Sequence, residues 1–433
     1  MLDRREFFGS LGRPAGVALA AALLDPVRAR AAVRELAGAP GAPEELAADE
    51  AYWGVVQRAF AVDRSMVNLN NGGVSPAPAV VQDALRRYQE FSNLAPAYTM
   101  WRILEPGRET VREALARLFG CDPEEVAITR NTSESLQTVQ LGIDLAPGDE
   151  VLTTTQDYPR MMTTFKQMER RKQVVVRTFK IPTPLENPAD VVQAFADNIT
   201  ERTRMILISH MVFLTGQVMP VREVVRLGKA RGIPVVVDGA HSFAHLVYTV
   251  ADLECDYFGT SLHKWLAAPH GTGMLYVRKE KIPGVWPLMA APPEMDGNIR
   301  KFEEIGTHPA APALAIGEAI SFHLGIGPER KLARLRYLRD RWVQRLQAGG
   351  RLRVLTNLKP GWSGGIATFA LDGVDPAALE KFLWEKHRIL VVTIKHDEFS
   401  GNRVSPSVYT SIDEVDRFAD AVEQFARKGA TAA

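Results

Sequence analysis

Between residues 126 and 237, short apolar runs rich in β-branched residues alternate with stretches of helical spacing. Val126-Ala127-Ile128-Thr129, Glu150-Val151-Leu152-Thr153-Thr154, Val174-Val175-Val176, Met205-Ile206-Leu207-Ile208-Ser209 and Val235-Val236-Val237 read as strands. Residues 133–143, 160–171, 189–198 and 221–230 read as the helices between them. Continuous apolar strands spaced by helices of this length specify a mostly parallel sheet with helices on both faces. Ligands of such sheets bind outside the carboxyl ends of the strands. The polar residues just past those ends are therefore the first candidates for chemistry: Asn131, Thr132, Ser133, Asp157, Tyr158, His210, Asp238 and His241.

Outside this block the pattern is looser. Residues 44–63 have helical spacing, with Leu46, Trp53, Val56 and Phe60 on one face. A short strand at Val67-Asn68-Leu69 runs into the turn Asn70-Asn71-Gly72-Gly73, whose residue types tolerate positive φ. Helices are predicted over 76–88 and 106–119, separated by an aromatic loop, Tyr98-Thr99-Met100-Trp101-Arg102. Met274-Leu275-Tyr276-Val277 reads as a further strand, and Pro/Gly-rich sequence over 283–297 ends the alternation. A long helical pattern over 312–346 then leads to strand-like stretches at 354–371 and 389–394 and helices at 376–386 and 412–425, a smaller C-terminal α/β layer.

At 433 residues the chain exceeds one comfortable core. Its 52 basic and 51 acidic side chains leave no basic excess to displace the counterions of a nucleic acid. Two cysteines, Cys121 and Cys255, make neither a disulfide framework nor a four-cysteine zinc site. No internal apolar run reaches the roughly 18 residues of a membrane span. The first residues change the picture. Asp3-Arg4-Arg5-Glu6-Phe7-Phe8-Gly9, a weakly apolar stretch over 17–24 broken from the arginines by Arg13-Pro14, and Ala29-Arg30-Ala31 resemble a twin-arginine translocation signal with an A-x-A cleavage site. The expected division is a signal over 1–31, a linker and helix over 32–67, a large domain over 68–305, and an interdomain helix with a small domain over 306–433. A protein so marked is expected in the periplasm, exported folded by the twin-arginine machinery, with no membrane segment in its mature form.

Several constellations carry chemistry, each beside a plainer alternative. Asp238 ends a buried strand, and Lys264 follows 26 positions on (264 − 238) in Ser261-Leu262-His263-Lys264-Trp265. An acid and an amine at neighbouring strand ends make either a buried ion pair or a site for pyridoxal phosphate, whose aldehyde condenses with lysine and whose ring nitrogen an aspartate keeps protonated. Arg130-Asn131-Thr132-Ser133-Glu134, where a strand becomes a helix, suits a phosphate cradle or an ordinary N-cap. Tyr158 is a stacking ring or a core tyrosine. His241 and His245 have the i, i+4 spacing of a helical zinc site, the feature behind a zinc-hydrolase alternative, although serine replaces the glutamate of H-E-x-x-H. Arg403 can grip a carboxylate through paired hydrogen bonds or lie at the surface. Neither a dinucleotide nor a P-loop glycine fingerprint is present.

Taken in order, Val237-Asp238-Gly239-Ala240-His241 and Ser261-Leu262-His263-Lys264-Trp265-Leu266-Ala267-Ala268-Pro269 resemble the central motifs of the class V aminotransferase family. This is a branch of the fold-type I pyridoxal-phosphate enzymes that includes isopenicillin N epimerase-like proteins, cysteine desulfurases and kynureninases. The resemblance extends from about residue 69 to about 425 and is loose in the last third. It implies the fold-type I transferase architecture and pyridoxal 5′-phosphate as cofactor. It further implies that Lys264 carries the cofactor and moves the Cα proton, that Asp238 pairs with the pyridine nitrogen, and that His241 lies beside the ring's 3′-oxygen. Thr132 and Ser133, with Ser261 and His263, are implied to hold the phosphate, and Tyr158 to stack on the ring. Thr307 is implied to reach the phosphate of a partner subunit in a homodimer with shared sites, and Arg403 to bind the substrate carboxylate.

Desulfurases of this family need a mobile cysteine in the C-terminal portion, and none is present there. The reaction expected is transamination or epimerisation through a Cα carbanion, with a lyase lacking a persulfide cysteine as the alternative. The family also includes exported members that tailor a peptide side chain during siderophore maturation, so the substrate expected is an amino acid, free or peptide-linked, faced by Tyr98, Trp101, Arg102 and the loop 286–297.

Overall fold

Seven strands form the principal sheet: β2 (Val126–Thr129), β3 (Glu150–Thr154), β4 (Val175–Phe179), β5 (Thr203–Ser209), β6 (Val235–Asp238), β7 (Tyr257–Ser261) and β8 (Gly273–Val277), after a two-residue β1 (Val67–Asn68). This computed structural model describes residue 38 and residues 40–430, so the signal expected over 1–31 lies outside the described residues. The strand order is β2-β8-β7-β6-β5-β3-β4, with β8 alone running antiparallel to its neighbours. The helices of nine residues or more are α1 (Glu50–Arg58), α2 (Ala79–Ser92), α3 (Glu105–Phe119), α4 (Thr132–Gly142), α5 (Pro159–Lys172), α6 (Pro188–Asn198), α7 (Val221–Lys229), α8 (Ile316–Ile326), α9 (Pro328–Gln347), α10 (Pro376–His387) and α11 (Ile412–Ala430).

The period of two along each strand explains the two layers of helices. In β5, Met205 and Leu207 join Leu136 and Val139 of α4 and Met161 and Phe165 of α5 in one buried cluster. Ile206 and Ile208 join the cluster on the opposite face, with Leu115 of α3, Phe195 of α6 and Val224 of α7. The edge strand β4 differs because it is largely open to solvent: in its run Val-Val-Arg-Thr-Phe only Phe179 is buried. That polarity hides its second half, so the apolar stretch at 174–176 covers only part of the observed strand.

A four-stranded antiparallel sheet, β12-β13-β10-β9, forms the C-terminal layer from β9 (Leu352–Val354), β10 (Ala367–Leu371), β12 (Val392–Lys395) and β13 (Ser400–Val404). The stretch read as strand-like over 354–371 is thus two short strands with a loop between, and that over 389–394 is β11 (Ile389–Leu390) followed by β12. β1 pairs in parallel with β11, Val67 opposite Ile389, so the turn at 70–73 is anchored to this layer. The single helix expected over 312–346 is broken: Gly327 takes φ +92° after α8, and Pro328 opens α9. The aromatic stretch 98–102, expected as a loop, is helical, with a π-helical turn over Thr99–Leu104 leading into α3. Thr99 holds it by donating to the Ser92 carbonyl at 2.8 Å.

Candidate active site

At the carboxyl ends of β5, β6 and β7 a cavity of about 490 Å³ opens, within the roughly 300–1,000 Å³ range of small-molecule sites. β6 delivers Asp238 to its floor and β7 delivers Ser261, with Lys264 three residues beyond. Close packing makes this possible. A Cβ on Gly239 would lie 1.9 Å from the Phe258 ring, so no larger residue fits where the chain turns after Asp238. A Cβ on Gly259 would lie 2.8 Å from Leu136, and its absence lets α4 rest on β7 with its N-terminus over the cavity.

Burial governs the charges. Asp238 is 5% exposed and accepts the Ala240 N–H at 2.9 Å; desolvation pushes its carboxyl up to about 6 against the pull of Lys264. Desolvation also brings the Lys264 amine down to about 8, opposed by Asp238 and helped by Arg403. Lys264 Nζ lies 3.3 Å from His241 Nε2. His241 is held well below the usual imidazole value by burial, then by the charges of Lys264 and Arg403, and is therefore neutral. Its Nδ1 is buried without a hydrogen-bond partner. These are an acid, an amine and an imidazole whose ionisation a bound ring can reset.

The contacts divide the duties of residues 130–134. Asn131 caps α4 by accepting the Glu134 N–H at 2.9 Å, and Glu134 pairs with Arg130 at 2.7 Å. Thr132 and Ser133 are thus free of capping duty and line the cavity. Thr132 donates its N–H to Ser261 Oγ at 2.9 Å, and the two hydroxyls are 2.7 Å apart. His263 also lines the cavity, its Nδ1 against the Thr272 carbonyl at 3.0 Å. Hydroxyls and N–H groups at a helix N-terminus suit a phosphate.

Tyr158 lines the opposite side, 38% exposed and edge-on to Phe213 at 5.3 Å. Its neighbour Asp157 fixes this strand end, accepting from Thr153 Oγ1 at 2.6 Å and from the Ser209 N–H at 2.9 Å. Arg403 lies behind Phe213, 5% exposed, donating to the Phe213 carbonyl at 2.7 Å and to Asn70 Oδ1 at 3.0 Å. It forms no ion pair among the described residues, its Nε has no partner, and burial lowers it to about 10. A guanidinium so placed suits an incoming carboxylate.

Four of the expected site residues do not line the cavity within one chain: Tyr98, Arg102 and Thr307 are exposed, and Arg403 is buried behind the lining residue Phe213. Thr307 belongs to a segment pinned at Glu303 by Arg108 at 2.8 Å, and by His308 against Arg108 at 2.8 Å. Cys121 and Cys255 also lie outside the cavity, their thiols pushed up to about 12 mainly by burial. The helical zinc pair does not form. Residues 240–245 make turns, both His245 nitrogens are engaged by the backbone, and the described residues contain no cluster of three metal-binding side chains. Met211, Phe213, Gln137 and Arg160 also line the cavity, and sequence reasoning missed them. Met211 and Phe213 follow β5 by two and four residues, so the rule that places ligands past strand ends was the available clue.

A phosphate at α4, a planar heteroaromatic ring between Asp238, His241 and Tyr158, and an aldehyde at Lys264 account for the orphaned His241 nitrogen and the desolvated carboxyl together. The residues present therefore fit pyridoxal phosphate.

The family model "Aminotransferase class-V" matches residues 67–418. The chain is 31% identical over 390 residues to isopenicillin N epimerase of Streptomyces clavuligerus, covering 86% of this chain and 98% of that protein. It is 32% identical over 399 residues to isopenicillin N epimerase of Amycolatopsis lactamdurans, covering 87% and 99%. Among solved structures, a lysine-to-alanine variant of C-DES with glycine covalently linked to its PLP cofactor superposes with a TM-score of 0.75 at 22% identity, over 84% of this chain and 99% of that one. That likeness shows the shared fold.

Proposed function

The chain belongs to the aminotransferase class-V family of pyridoxal 5′-phosphate enzymes, and we propose that it epimerises the α-carbon of an amino acid or peptide-linked amino acid. One observation carries the reading: the half-buried Lys264 amine, brought down to about 8, lies 3.3 Å from His241 Nε2 in the cavity that Asp238 and the residues of the phosphate cup also line. When bound, the cofactor supplies a covalent link to the substrate amine and a ring that acidifies the Cα–H. Lys264 Nζ would accept the Cα proton, a task suited to an amine brought down to about 8, and inversion would be completed by a proton delivered from water to the opposite face of Cα. Asp238 would keep a proton on the ring nitrogen, and His241 Nδ1, buried without a partner, would be free to donate to the ring's oxygen. Thr132, Ser133, Ser261 and His263 would hold the phosphate, and Tyr158, which lines the same cavity, would offer its ring for stacking. Arg403 holds the substrate carboxylate, which turns Cα toward Lys264.

Two features support epimerisation over other fates of the Cα carbanion. The relatives named isopenicillin N epimerase align over nearly their whole length. A desulfurase route would need a thiol at the cavity, and both cysteines are elsewhere. The test is incubation of the cofactor-loaded protein with free and peptide-linked L-amino acids in D₂O. Deuterium at Cα with inverted configuration supports the proposal. Accumulation of a keto acid with loss of the amino group assigns transamination instead, and release of a β-substituent assigns a lyase.

Pairing of two copies belongs to the same proposal. Leu94, Tyr98, Trp101 and Ile103 form an exposed apolar stretch, as do Trp286, Leu288 and Met289. A homodimer covering them brings Tyr98, Arg102 and Thr307 to the partner's cavity, and light scattering at a dimer's mass supports it. Export by the twin-arginine route rests on residues 3–31 alone, and translocation that stops when Arg4 and Arg5 become lysines tests it.

A further inference from the structure

His245 is 1% exposed and takes no part in the chemistry above. The Gly365 N–H donates to its Nε2 at 2.7 Å, so Nδ1 carries the ring proton and donates to the His241 carbonyl at 2.9 Å. His241 in turn faces Lys264 through Nε2 at 3.3 Å. The His245 ring also lies over the indole of Trp265, centroids 3.7 Å apart and planes 30° apart. Trp265 follows Lys264 directly, and its carbonyl accepts from the buried Lys331. On the far side the fit is tight: a Cβ on Gly364 would stand 2.4 Å from His245 Nε2.

This one side chain therefore touches three things that the reaction must align. It holds the main chain of His241, it supports the indole beside Lys264, and it accepts from the segment entering β10. That strand pairs with β13, with Thr368 opposite Arg403. A neutral imidazole is suited to this because it offers one donor, one acceptor and a flat face at once.

We propose that His245 is a positioning residue that registers the Arg403-bearing C-terminal sheet against the Lys264–His241 pair, so that a carboxylate seated on Arg403 tightens the turn carrying His241. The proposal rests on the cofactor and carboxylate roles given under Proposed function. The titratable groups facing Lys264 are Asp238, His241, His263 and Arg403, and those facing His245 are His241, Lys331, Arg336 and Arg339. Burial keeps His245 neutral across the working range, so a change in the cofactor's titration reports the Lys264 surroundings and not His245 itself.

The test compares wild type, H245F and H245N as cofactor-loaded proteins. Phenylalanine keeps the stacking face and loses both hydrogen bonds. Asparagine keeps a donor for the His241 carbonyl and is too short to reach Gly365. Two readouts apart from turnover are used: the pH midpoint of the visible cofactor band, and amide hydrogen exchange with and without propionate, a carboxylate lacking the amine. In wild type, propionate slows exchange over residues 239–246. H245F is expected to displace the midpoint by about half a unit or more and to lose the propionate response. H245N is expected to keep the midpoint and lose the response, with Gly365 exchanging about tenfold faster in both variants, the loss of one hydrogen bond. If H245F does not fold, the H245N comparison decides alone. A propionate response of wild-type size in H245N overturns the proposal. A wild-type protein with no visible band overturns the cofactor reading instead, which separates the two failures.

Discussion

Lys264 Nζ and His241 Nε2 face each other at 3.3 Å, and among the described residues neither has a carboxylate in direct contact. The imidazole is neutral and accepts; the amine is desolvated and titrates near 8. Asp238 acts on this pair through space, while it remains hydrogen-bonded to its own turn at Ala240. The three groups are separable by mutation because each meets a different part of the substrate–cofactor unit.

Lys264→Ala removes the covalent anchor and the base. Loss of a positioned general base costs about 10²–10⁴-fold in rate. The expected outcome is loss of α-proton exchange by at least that factor, with loss of the visible band of the loaded protein. Asp238→Asn is expected to keep the band and still slow exchange, since its role lies in holding a proton on the ring. Spectroscopy and exchange kinetics on both variants check this, and an Asp238→Asn protein with wild-type exchange would contradict the assigned role.

Acid should destabilise the protein well above the usual carboxylate range. Burial holds His210, His241, His245 and His323 below the imidazole value of 6.5, His210 to about 4. The unfolded chain takes up these protons near pH 6.5 and the folded protein does not, so stability is lost as pH falls below that point. Asp238, pushed up to about 6, acts in the opposite sense: the folded protein takes its proton first and gains stability as pH falls from 6 toward 3.8. His263 is lowered by burial in the same sense, so five imidazoles against one carboxyl leave a net loss. His210 alone contributes about 2 kcal/mol of it at pH 5. Thermal unfolding at pH 7.5 and pH 5.0 is expected to show a clearly lower Tm at the acid value; equal Tm values would mean that these imidazoles are solvated.

Much of this site was legible in the chain because its parts obey strong local rules. A β-branched run ending in Asp238 locates a parallel strand and its carboxyl end, and Thr132-Ser133 after Val126–Thr129 locates a helix N-terminus. The rest depended on contacts between distant residues. Nothing local says that Arg403 is buried behind Phe213, because one arginine on a strand fits surface and interior equally well. The His241/His245 spacing suggested one face of a helix, but Gly239 and the turns after it place the two rings in different roles. The broken helix at Gly327-Pro328 was visible as a Gly-Pro pair, and the apolar periodicity on either side masked it.

Gly259→Ala tests whether the phosphate cup depends on the approach of α4 to β7. The added methyl would meet Leu136 at 2.8 Å and Ser135 at 2.9 Å, and Ser135 already bonds the Thr129 hydroxyl at 2.7 Å and the Met274 carbonyl at 3.1 Å. Overpacking of this kind costs about 1–3 kcal/mol. The helix must lift, carrying Thr132 away from Ser261. A lower Tm together with weaker cofactor affinity is expected, measured by thermal melts and cofactor titration. A lower Tm with unchanged affinity would show that the helix N-terminus does not define the cup.

Arg403 gives the sharpest test of substrate grip. Its guanidinium is buried, has two neutral acceptors and forms no ion pair among the described residues. A substrate carboxylate supplies such a partner, and hydrogen bonds between charged groups are worth about 1.5–3 kcal/mol each. Arg403→Lys keeps the charge and loses the planar fork, so it should not rescue function. The expected result is a fall in kcat/KM of about 10–150-fold, carried mainly by KM, for substrates with a free α-carboxylate. Substrates with that carboxylate amidated should react equally slowly with wild type and variant. The comparison also corrects for folding: if Arg403→Lys slowed both substrates alike, the arginine would be serving the joint between Phe213 and Asn70 and not the substrate.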